Sequence, residues 1–179
     1  MSDPVERALD GLEHGPAFRF ADWPNASVPR VAFGVCSTWL DDGQFLYIGM
    51  ARRRSVSQGM RERGHRPSPE AGKTGQVPTD DRKTQGLWNC LWRHASGRRV
   101  ADRFCLGVCD RFLIPGLTRS QQDAIAEGAI SLDELTRQFV RDRCVYRFVV
   151  TPDDRTSEAV YRQVRDGALA AGAPLLNPR

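Results

Sequence analysis

A chain of 179 residues and 20.0 kDa, 40% apolar and 27% charged, has the make-up of one globular domain able to build its core without staples. A mean hydropathy of −0.47 with no long apolar run excludes a transmembrane helix. The opening residues carry no basic, apolar leader, so the expected location is cytoplasmic and no membrane partner is expected.

The formal charge of +4 is unevenly spread: positions 51–111 hold 14 Lys and Arg against 6 Asp and Glu, a net of +8. A middle third rich in arginine points to a phosphate-bearing partner, because guanidinium presents a planar fork of donors to phosphate.

In chain order, Val5, Ala8, Leu9 and Leu12 predict a helix over Pro4–His14, with Asp3 as N-cap and Pro4 at the first helical position. That helix and a Pro-broken connection make up residues 1–30. The main domain is expected over 31–179. Val31–Trp39 and Gln44–Ile48 are β-branched and aromatic runs joined by Asp41-Asp42-Gly43, which predicts a β-hairpin. Residues 51–85 read as a long basic loop insertion with a short helix near Ser55–Arg63.

Leu87, Cys90, Leu91 and His94 share one stripe of a helix over Gly86–Ala95. Arg103–Ile114 reads as a third strand. A short helix capped by Thr118 or Ser120 follows, then one from Ser131 to about Arg143 with the Ser131…Glu134 capping-box spacing. Val145–Val150 reads as a fourth strand, and Thr156 or Ser157 starts a last helix to about Ala170, stopped by Gly172. A hairpin at the start demands antiparallel pairing, so the fold class is α+β, a small mixed sheet built on that hairpin and flanked by helices.

The five cysteines, Cys36, Cys90, Cys105, Cys109 and Cys144, are odd in number and come without a secretory leader, which argues against a disulfide framework. Cys105 and Cys109 lack a second Cys pair or His-x-His spacing to complete a zinc site.

Two triplets, Gly34-Val35-Cys36 and Tyr47-Ile48-Gly49, lie on the two arms of the hairpin. The helix with Leu91-x-x-His94 follows, and the chain closes on a helix and Pro-Leu-Leu-Asn-Pro. This arrangement resembles the GIY-YIG nuclease superfamily over Val31–Pro178. The resemblance implies phosphodiester hydrolysis on DNA. A Tyr would activate water, an Arg would hold the phosphate, and a late-helix Glu would hold a divalent metal, Mg²⁺ in an active enzyme.

Carried over residue by residue, it assigns catalytic positions to Tyr47, His94 and Asn177, with Arg93 the nearest replacement for the helix Arg. The chain departs from the pattern at three places. Cys36 stands at the first Tyr and Cys90 at the helix Arg. Tyr161 stands near the metal Glu, leaving Glu158, one turn earlier, as the metal candidate. Arg52, Arg53, Arg54, Arg98 and Arg99 are the expected backbone contacts to nucleic acid. The expectation is a nucleic-acid-acting domain with weak or absent cutting. A non-catalytic binding or regulatory module is the alternative, and a thiol redox pair or metal site in the former cleft is the third. In a fold of this kind Cys36 and Cys90 should line one cleft with Tyr47, His94 and Tyr161.

Overall fold

The structure, a computed structural model, describes residues 3–51 and 85–177. Arg52, Arg53, Arg54 and the helix expected near 55–63 lie outside the described residues. The N-terminal helix α1 (Pro4–His14) forms as its sequence dictates: the Asp3 carboxylate accepts from the Val5 N–H at 3.0 Å, and Ala8 and Leu12 bury the apolar stripe. Strands β1 (Phe18–Arg19), β2 (Val31–Ala32), β3 (Gly34–Leu40), β4 (Phe45–Ala51) and β5 (Gln85–Gly86) come next, then helices α2 (Leu87–Ser96), α3 (Arg103–Val108), α4 (Arg119–Ala126) and α5 (Leu132–Arg143), and last strand β6 (Cys144–Val150) and helix α6 (Asp154–Arg165). Among the described residues, no helix is long and apolar enough to cross a membrane.

The main sheet has the order β1-β6-β3-β4 and is antiparallel throughout. It is therefore not the mixed sheet expected from the sequence. Among the described residues, parallel pairing occurs only between β2 and β5, a separate two-residue ladder leading into α2. One face of the sheet packs on α1 and α6 around Leu12, Val35, Ile48, Val160 and Val164. The other packs on α2, α3 and α5 around Phe20, Leu91, Phe104, Val140 and Tyr146.

The hairpin carries an irregularity with consequences for the site. Thr38 faces Tyr47 and Trp39 faces Phe45, so Leu46 is an extra residue in β4. A bulge of this kind breaks strict alternation. Phe45 packs with the α1/α6 layer, whereas Leu46 and Tyr47 both pack with the α2 layer. The carbonyls of Phe45 and Leu46 accept from the N–H groups of Leu175 and Leu176 at 3.2 and 2.8 Å. The chain's end thus covers the outer edge of β4, which would otherwise expose unpaired backbone.

Three sequence expectations need correction. Arg103–Ile114 is helical, not a strand: α3 runs into a wider-wound turn over Cys109–Leu113. Phe104, Cys105, Val108 and Cys109 are all buried, a helical stripe rather than an alternation, and the Asp102 carboxylate caps the helix by accepting from the Phe104 N–H at 2.9 Å. Helix α6 is capped by Asp153, which accepts from the Thr156 N–H at 2.7 Å, and ends at Arg165 rather than about Ala170. Ser131 caps α5 through the Asp133 N–H at 3.2 Å, while Glu134 pairs with Arg137 instead of closing a capping box.

Candidate functional site

Helix α2 turns Leu87, Leu91 and Ala95 into the core and so presents Cys90 and His94, one turn apart, to β3 and β4. Cys36 comes from the central strand β3, where it pairs in register with Gly49 of β4. Its Sγ lies 3.6 Å from Cys90 Sγ, and Cys90 Sγ lies 3.7 Å from His94 Nε2. The three groups converge because position 49 is glycine. A Cβ there would stand 2.9 Å from Cys36 Sγ, 3.1 Å from Cys90 Sγ and 3.3 Å from His94 Nε2.

Behind the imidazole, His94 Nδ1 is hydrogen-bonded to Asp102 Oδ2 in a buried pair, while Asp102 Oδ1 caps α3. The carboxylate fixes the ring with Nδ1–H toward Asp102 and Nε2 toward the thiols. The same contacts set the charges. The hydrogen bond from Cys36 and the neighbouring His94 outweigh burial and hold the Cys90 thiol well below its ordinary value. The hydrogen bond to Cys90, with burial, pushes Cys36 up. Burial alone would lower His94, but Asp102 and Cys90 outweigh it and raise it to about 10. Burial opposes ionisation of Asp102, yet His94 holds it below the usual carboxylate range.

Cys90 and His94 open on a cleft of about 210 Å³, whose wall also includes Tyr47, Arg93, Asp102 and Arg103. The Tyr47 ring meets the His94 ring edge-on at 5.6 Å. Burial pushes the Tyr47 phenol above its ordinary value, which removes it as a ready base at neutral pH. The side chains of Arg93 and Arg103 are exposed at the rim.

Neither Asn177 nor Tyr161 is among the residues of the cleft wall: Tyr161, expected there, packs instead with the α1/α6 layer on the other face of the sheet. The Asn177 side chain pairs with the backbone of β4, accepting from the Ile48 N–H at 2.8 Å and donating to the Ile48 carbonyl at 3.0 Å, with the Tyr161 hydroxyl 3.5 Å from its Nδ2. These buried bonds bring the chain end onto the strand that carries Tyr47 and Gly49. Asn177→Ala is expected to lower stability by about 2 kcal/mol, the net value of two such bonds, read as a fall in the urea midpoint at constant slope.

Glu158 pairs with Arg162 along α6 and is not among the residues of the cleft wall. Arg99 is engaged with Asp133 at 2.8 Å, while Arg98 is exposed just past α2. Sequence reasoning placed Tyr47, Cys90, Arg93 and His94 but missed Asp102 and Arg103. The available signal was an Asp two residues before Phe104 at the head of a helical stripe, concealed by reading 103–114 as a strand.

Cys36, Cys90 and His94 offer thiolates and an imidazole, a donor set for soft divalent ions. Mg²⁺ takes oxygen ligands, so these residues do not fit it. A thiol beside an oriented imidazole also has the elements of an activated nucleophile. The chain matches no family model, no curated protein and no solved structure.

Proposed function

We propose that this chain is a GIY-YIG-like domain that binds nucleic acid, DNA in the first instance, without cutting it. One observation carries the reading. The positions that the resemblance assigns to the second Tyr, the helix Arg and the helix His are Tyr47, Cys90 and His94, which line one cleft, and the position of the first Tyr is Cys36, buried against Cys90 behind it. The order β4-β3-β6, with one arm of the hairpin internal, the other at the sheet edge, and helices on both faces, is compatible with it. Cutting is not expected, because a thiol at 90 offers no fixed positive donor to phosphate and, among the described residues, the cleft supplies no oxygen-rich metal site. Arg93 and Arg103 at the rim, with Arg98 beyond α2, supply the cationic contacts.

The test is fluorescence anisotropy with a labelled duplex. Binding should fall steeply from low to moderate salt, with a log–log slope of about −0.9 per phosphate neutralised. Arg93→Ala with Arg103→Ala should weaken it and flatten that slope. Plasmid incubated with Mg²⁺ should remain supercoiled. No binding of duplex or single strand at low salt would overturn the reading, and robust nicking would overturn its inactive form.

A second reading, a thiol reaction centre, is favoured by the Cys90–His94–Asp102 chain of contacts, which gives a thiol an oriented imidazole partner. Thiol labelling, argued below, probes it directly.

A further inference from the structure

We propose that Cys36, Cys90 and His94 form a binding site for one soft divalent cation of the Zn²⁺ class, with Asp102 as the positioning residue behind His94 and the fourth coordination position reached from the cleft.

The argument begins with distances. A tetrahedral ion with arms of about 2.3 Å to sulfur and about 2.1 Å to nitrogen separates two sulfurs by about 3.8 Å and a sulfur from a nitrogen by about 3.6 Å. The structure has 3.6 Å between the two Sγ atoms and 3.7 Å between Cys90 Sγ and His94 Nε2, and all three donor atoms lie within 4.8 Å of one another. Two ligands at positions 90 and 94 come from one helical turn and the third from the rigid central strand, so the set is held by packed elements rather than loops.

The surroundings fit the same chemistry. Metal-bound histidine commonly donates its second ring N–H to a carboxylate, which fixes the tautomer and the ring angle. Asp102 makes that contact and is itself fixed as the cap of α3. Glycine at 49 keeps the space between the donors free of a side chain, and a Cβ there would intrude on all three donor atoms. Cys105, buried on α3, is bonded differently: its thiol donates to the His94 carbonyl at 3.4 Å. Three protein ligands with Cys90 and His94 opening on the cleft match the coordination of zinc sites that keep one exchangeable position. Arg93 and Arg103 at the rim favour an anion there over a neutral ligand.

The experiment is Co²⁺ titration of the full chain after reduction and chelation, without nucleic acid, so its outcome is separate from that of the DNA-binding reading. One Co²⁺ per chain is expected, with the intense visible bands of a tetrahedral site and a thiolate-to-cobalt charge-transfer band, all removed by one equivalent of Zn²⁺. Cys36→Ser and Cys90→Ser should each weaken binding at least tenfold and diminish the charge-transfer band. Asp102→Asn should weaken binding by about 10–100-fold. Cys109→Ser, buried outside the cluster, should change neither. Should a cluster variant fail to fold, the wild-type charge-transfer intensity, which counts thiolate ligands, decides alone. Only the pale spectrum of octahedral Co²⁺ from wild type with its thiols verified as reduced would overturn the proposal. So would a Cys36–Cys90 disulfide whose reduction restores no Co²⁺ binding.

Discussion

Asp102→Ala is expected to lower the stability of the metal-free, reduced protein by about 3–5 kcal/mol, the range for removing one partner of a buried ion pair. The side chain serves two neighbours at once. One oxygen caps α3 through the Phe104 N–H and the other holds His94 Nδ1, and both residues are almost wholly buried. Asp102→Asn keeps a capping oxygen and should recover about 1 kcal/mol of the loss. The remainder is the stranded imidazole, which must either stay charged without a partner or become neutral in the core.

The pH dependence has two limbs with opposite signs. Asp102 is held below the usual carboxylate range. Its contribution is therefore present above the unfolded value and is lost as pH falls through the depressed one. His94 is raised to about 10, so its contribution is complete below about 6.5, the ordinary imidazole value, and is lost as pH rises through about 10. Both limbs describe the same pair and are not added together. Urea denaturation of wild type and Asp102→Ala across pH should show the gap widest between about pH 4 and about pH 6.5, the ordinary carboxylate and imidazole values, and closing toward both ends. A gap under 1 kcal/mol at neutral pH would mean that the pair contributes little.

The sequence was most informative where short-range chemistry decides structure. Asp3-Pro4 with apolar residues at helical spacing defines α1, and Asp41-Asp42-Gly43 between two β-branched runs defines the β3–β4 hairpin. The stripe Leu87, Cys90, Leu91, His94 places one thiol and one imidazole on the same side of α2. That Cys36 joins them was expected only from the resemblance, and the structure sets its Sγ 3.6 Å from that of Cys90.

Long-range effects were not legible. Cys105, Val108, Phe112 and Ile114 have strand-like side chains, and only the tertiary burial of Phe104, Cys105, Val108 and Cys109 together makes α3 a helix. With α3 misread, Asp102 had no visible role. The extra residue Leu46, which joins Tyr47 on the α2 face, depends on pairing across the hairpin and on the chain end covering β4. No window of sequence contains both partners of that contact.

Cys90 is expected to be the first of the five cysteines to react with iodoacetamide at neutral pH, by at least tenfold in rate. Reaction requires a thiolate and access, and the two coincide only at position 90. Cys90 is half-buried on the cleft wall, with Cys36 and His94 holding its thiol well below the ordinary value. Cys36 has no exposed surface, and its bond to Cys90 raises it. Burial raises Cys105 and pushes Cys144 up to about 12, so at neutral pH almost none of either is thiolate. Cys109 is wholly enclosed.

Peptide mass mapping of a time course gives the order directly. His94→Gln should slow labelling of Cys90, since it removes the cationic neighbour, and acid should slow it in wild type as the thiolate is protonated. Added Zn²⁺ separates two roles for this thiol. Protection of Cys90 by one equivalent means that its lone pair is engaged with the ion, whereas unchanged labelling leaves Cys36 and the imidazole as its activating partners. Labelling that begins at Cys105 or Cys144 would show that the core around α3 opens more readily than the cleft. The electrostatic account of Cys90 would then fail.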